Sequence, residues 1–175
     1  DTGCADGEVA VVDVYDQPQD PCATGDPILD DVNMNHYMSN LWRNSLTLEP
    51  IISRVEKGGW IVKDINGAYS IVPVDLPAYA CGMTPPSNFL DEMPAGTVGF
   101  IHTHPFFEGE NTKVVCGEGG SDSYQSGTNT DDYNLLLAIA ERTGNPNVVG
   151  YNMDGSNIVR TNVLYNNTYY SRCNY

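Results

Sequence analysis

Between Thr97 and Pro105 the chain reads Thr-Val-Gly-Phe-Ile-His-Thr-His-Pro, an apolar run that ends in two histidines and a proline. This stretch constrains the fold more than any other. An apolar run suits a strand, and residues i and i+2 of a strand point to one side. His102 and His104 therefore aim at the same point. Pro105 has no N–H to give to a sheet ladder, so the strand is expected over 97–104 and to stop there, leaving the pair at its end. Neutral imidazole is a preferred ligand of zinc and related divalent ions. The same pair is also compatible with ordinary solvated or packed histidines.

The flanking segments add acids. Downstream, Thr128-Asn129-Thr130-Asp131-Asp132 leads into the periodic run Leu135, Leu136, Leu137, Ile139, Ala140. This predicts a helix over 132–143, ended by Gly144-Asn145-Pro146. Thr128 and Asp131 have the spacing of an N-cap hydroxyl and an N3 acid. They equally suit a second role, in which Asp131 joins the two histidines. Two His and one carboxylate leave a fourth position open, the arrangement of a catalytic zinc. Upstream, Glu56-Lys57-Gly58-Gly59 precedes the short apolar strand Trp60-Ile61-Val62-Lys63. A carboxylate there can act as general base. The Gly pair admits another backbone at close range.

Together these pieces resemble the JAMM metallopeptidases, also called MPN or JAB domains, whose pattern is an upstream Glu, then His-x-His-Pro, then Ser-x-x-Asp. The matching residues are Glu56, His102-Thr103-His104-Pro105 and Thr128-Asn129-Thr130-Asp131, and the resemblance covers 46–163. It is nearest the bacterial JAB-like branch of secreted proteins and toxin tails. It implies an α/β fold, a mixed sheet flanked by helices in a cytidine-deaminase-like sandwich. It also implies a zinc-dependent peptidase or isopeptidase using a metal-activated water. In that reading His102, His104 and Asp131 bind Zn2+, Glu56 is the base and Thr128 steadies the oxyanion. The alternative is a catalytically inactive binding or scaffold module on the same fold. Two departures stand out. Thr128 replaces the usual Ser, and the segment 106–130 is longer than the family's. It reads as an inserted loop at the rim of the site, and its length leaves the register open to Asp132 or Asp122. Asp132 ranks second to Asp131, because it would put Asn129 at the hydroxyl position.

Charge narrows the partners. The net charge is −15, with only eight Lys and Arg in 175 residues. A phosphate-binding surface needs basic side chains, so nucleic acid is excluded, and an anionic membrane is disfavoured on the same ground. A peptide or protein substrate is compatible. No apolar run approaches the length of a membrane span. Richness in Asn, Thr, Tyr and Gly, scarce Lys and a start at Asp1 without Met fit a processed, exported protein, whether periplasmic, cell-surface or secreted. Five cysteines leave at least one without an intrachain partner. Cys4 and Cys22 can close a short N-terminal segment, Cys81 and Cys116 can staple the inserted loop, and reduced thiols are equally compatible.

Elsewhere, 1–26 reads as an N-terminal extension holding a short strand at 9–14, and 27–175 as one domain. Asp26-Pro27 opens a helix reaching Arg43, with Pro at its first turn. A second helical piece is expected over 48–55. Strands at 60–63 and 69–74 form a hairpin about Asn66-Gly67, with Pro73 marking an edge. A further hairpin joins 148–153 to 157–163 through Asp154-Gly155. His36 falls on the first helix and reads as an ordinary surface or packing residue.

Overall fold

The computed structural model describes residues 22–117 and 130–173. Its elements in chain order are α1 (Val32–Asn44), β1 (Gly58–Lys63), β2 (Tyr69–Val74), β3 (Ala78–Tyr79), β4 (Gly82–Met83), β5 (Thr97–Thr103), α2 (Lys113–Cys116), α3 (Thr130–Thr143), β6 (Val149–Met153), β7 (Asn157–Asn162) and β8 (Asn167–Ser171). Six strands form one mixed sheet in the order β2-β1-β5-β6-β7-β8, and β3 pairs with β4 in a separate ribbon. Only β5 and β6 are parallel. Their connection contains α3, because parallel neighbours need a crossover. The fold is thus α/β with a mixed sheet.

The helices cover opposite faces of the sheet. Met34, Met38 and Leu41 of α1 pack with Ile61, Ile71, Ile101 and Tyr151. Leu136 and Ile139 of α3 pack with Trp60, Phe100 and Val148. Neighbouring residues such as Trp60 and Ile61 fall in different cores, as the two-residue strand period requires. Trp60 stacks on Phe89 at 4.5 Å and meets Phe100 edge-on at 5.2 Å. A bulge sets the alternation of β5. Ile61 pairs with Gly99 but Val62 with Thr97, so Val98 is skipped. Val98 therefore packs in the α1 core, whereas Phe100, with His102 after it, faces the α3 side.

Glycines let the central strands meet. A Cβ on Gly99 would run into the Val149 carbonyl oxygen, and one on Gly59 into the Ile71 side chain. The β1–β2 hairpin forms as expected, with β2 at the sheet edge and Pro73 in it. Its loop spans five residues, with Gly67 at φ 89° and its N–H bonded to Asp64 O at 3.0 Å.

Several local expectations are corrected. Asp26 does not start α1. Its Oδ1 caps the N–H groups of Ile28 and Leu29 at 2.9 and 3.2 Å, making a separate turn. Asp31 is the N-cap, accepting from Asn33 and Met34. The cause is tertiary, since the Asp26 carboxylate also accepts the Tyr151 hydroxyl and sits 3.1 Å from Arg160 Nε. The helix expected over 48–55 is one 3-10 turn at Ile51–Ser53. Cys22 bonds to Cys173, which excludes Cys4 as its partner, while Cys81 and Cys116 do pair. Strand β8 and the β3–β4 ribbon were not anticipated. Cys4 and the strand at 9–14 lie outside the described residues.

Candidate metal centre

Strand β5 carries His102 to its C-terminal end, and the chain beyond stays in the sheet for one more bond, His104 N–H to Met153 O at 2.7 Å. Both imidazoles lie on the α3 side and are 5% exposed. Their Nε2 atoms are 2.8 Å apart. The first turn of α3 brings Asp132 Oδ1 to 3.7 Å from His102 Nε2. Donor atoms of His102, His104 and Asp132 all lie within 4.8 Å of one another, so the group can hold a metal ion.

The third member of the converging group is Asp132, the register ranked second to Asp131, and not Asp131 itself. On a helix, adjacent residues point about 100° apart. Asp132 turns toward the sheet, where Asn152 Nδ2 donates to its Oδ2 at 3.2 Å. Asp131 is exposed and lines the same cleft without joining the converging group. Thr128 and Asp122 lie outside the described residues. His36 is on α1, within 3.1 Å of Asn40 Nδ2, and is not among the converging residues.

Glu56 reaches the site from the segment just before β1. The β1–β5 register pairs Gly58 with His102, and the next bond, Thr103 N–H to Lys57 O at 2.8 Å, continues it. Just before that register, Glu56 gives its own N–H to Tyr79 O at 2.9 Å. It lines the cleft shared by the histidines and is 7% exposed. Burial, and then the Asp132 carboxylate, push its carboxyl from 4.5 up to about 9.

Two neighbours were missed in the sequence. Asn152 pairs in register with His102 and is 5% exposed. A polar residue inside the apolar run Val149–Met153 was the available signal. Arg54 anchors the chain just past the histidines, donating from Nη1 to Pro105 O at 2.9 Å and to Glu110 Oε2 at 2.6 Å, and from Nη2 to Glu110 Oε1 at 2.8 Å. Burial acts to raise the Glu110 carboxyl, but the Arg54 bonds and the Phe107 N–H outweigh it, leaving it below its usual range. No spacing in the chain announces a pair 56 residues apart. The described part of the segment after the histidines is tied to the cleft wall, because Cys116 is bonded to Cys81, which lines it.

The cleft has a volume of about 450 Å³, within the range of about 300–1,000 Å³ usual for ligand sites. Among the described residues no helix is long and apolar enough to cross a membrane. The chain matches no protein-family model and no curated protein.

Proposed function

We propose that this chain is a zinc-dependent hydrolase of peptide or isopeptide bonds, built as a JAMM-like sandwich and exported from the cell. One observation carries the reading: His102, His104 and Asp132 converge in a cleft that also holds the buried acid Glu56. Two imidazoles and one carboxylate are a donor set suited to zinc. Separations within 4.8 Å are close to what donors about 2.0–2.2 Å from a common ion can span. Asn152 orients the carboxylate from behind, as outer partners of metal ligands do. The two disulfides support an oxidising compartment.

A bound zinc ion would acidify water and polarise the scissile carbonyl. The chain's own part is proton handling. Glu56 takes a proton from the attacking water and returns it to the amine nitrogen as the carbon–nitrogen bond breaks. Burial favours its neutral form, and a dication beside it favours the carboxylate.

Elemental analysis should find about one equivalent of zinc per chain. Glu56→Gln should keep that metal while turnover on peptide or isopeptide substrates falls by ~10²-fold or more. Loss of metal in that variant would make Glu56 a ligand. A metal-loaded wild type that cleaves nothing across a broad peptide library would favour the binding or scaffold module.

A further inference from the structure

Much of the cleft beside the histidines is lined by apolar side chains. The α3-side core does not stop at the protein surface. From the buried rings of Phe89 and Phe100 it continues outward through Leu76, Met83, Leu90 and Leu135, each only partly buried and each lining the cleft. Leu135 stands one helical turn after Asp132, so the apolar wall begins directly beside the converging donors. The acids that line the cleft are Glu56, Asp131 and Asp132. No Lys or Arg lines the cleft among the described residues, and the segment 118–129 contains none.

We propose that this wall is a specificity pocket for one bulky apolar residue, Leu- or Phe-like, of a peptide chain, and that it rejects an acidic residue at the same position. The inference rests on the hydrolase reading for its meaning and names that site's substrate class. Burying an apolar side chain against four partly exposed ones releases water from both partners. A carboxylate seated against Leu76, Met83 and Leu90 would lose its hydration with no Lys or Arg of the described lining to pair with it. Small residues would leave the wall wet and gain little.

The test is binding, so that it stands apart from catalysis. The full chain carrying Glu56→Gln, which blocks turnover, is titrated with dye-labelled, C-terminally amidated peptides Gly-Ser-X-Gly-Ser. Peptides with X = Leu or Phe should bind at least ~10-fold more tightly than those with X = Ala or Asp. Leu90→Arg in the same background should abolish the preference for Leu and improve binding of the Asp peptide, a gain that misfolding cannot produce. Should Leu90→Arg fail to fold, Leu76→Ala must weaken the Leu peptide by a few-fold while leaving the Ala peptide unchanged. Equal binding of Leu, Ala and Asp, or no binding of any, overturns the pocket. The two readings fail separately. A wild type that binds Leu peptides selectively but cleaves nothing loses only the hydrolase. One that cleaves without regard to X loses only the pocket.

Discussion

Replacing Glu56 by Gln should flatten the pH dependence of the metal-free protein's stability. The carboxyl is 7% exposed and displaced from 4.5 up to about 9, first by burial and then by Asp132. In the unfolded chain the same group titrates near its ordinary value. Between those two values the folded state therefore holds one proton more than the unfolded state. Its contribution is complete at acid pH and is lost as pH rises toward the folded value. The steepest slope is about 1.4 kcal/mol per pH unit, or on the order of 3 kcal/mol between about pH 5.5 and 8. Glutamine keeps the shape and cannot ionise. Urea unfolding of both chelator-treated proteins across that range is the assay. Slopes from most other groups are common to both proteins, so the difference isolates position 56. Wild type should lose stability relative to Glu56→Gln as pH rises. Parallel curves would refute the buried, neutral carboxyl. The same logic predicts proton release on metal binding. Calorimetry at neutral pH in buffers of different ionisation heat should find about one proton fewer expelled by Glu56→Gln than by wild type.

Three further outcomes test the geometry. His102→Ala, His104→Ala and Asp132→Asn should each lose most of the bound metal in equilibrium dialysis, whereas Asp131→Asn should retain it; the reverse order for the two acids would restore Asp131 as ligand. Asn152→Ala should lower metal affinity by roughly 10–100-fold with an unchanged circular dichroism spectrum, because the residue steadies Asp132. Gly99→Ala should cost about 1–3 kcal/mol in denaturant unfolding, since the added methyl meets the Val149 carbonyl and presses β5 off β6.

The covalent frame makes its own forecast. Peptide mapping without reduction should recover Cys22–Cys173 and Cys81–Cys116. Replacing Cys22 and Cys173 by Ser should cost about 2–5 kcal/mol, given the 151-residue separation they close.

What the sequence determined by itself was local. The Asn66-Gly67 hairpin, the strand ending at Pro105 and the helix stopping at Gly144 rest on turn chemistry, missing N–H groups and side-chain period. These act over a few residues, so they can be read in order along the chain. The i, i+2 rule likewise placed His102 and His104 on one face before any packing was known. Tertiary structure decided the rest. Asp131 and Asp132 have identical chemistry, and only the seating of α3 against β5 and β6 turns one inward to Asn152 and leaves the other exposed. The Val98 bulge sets which face His102 occupies, yet a bulge arises from pairing with β1 and has no mark in the run itself. Asp26 carries every local sign of a helix cap. It is drawn into a turn by Tyr151 and Arg160, residues more than a hundred positions away. Cys22 likewise finds Cys173 because the fold brings their Cα atoms to 5.5 Å, a distance that spacing along the chain does not encode.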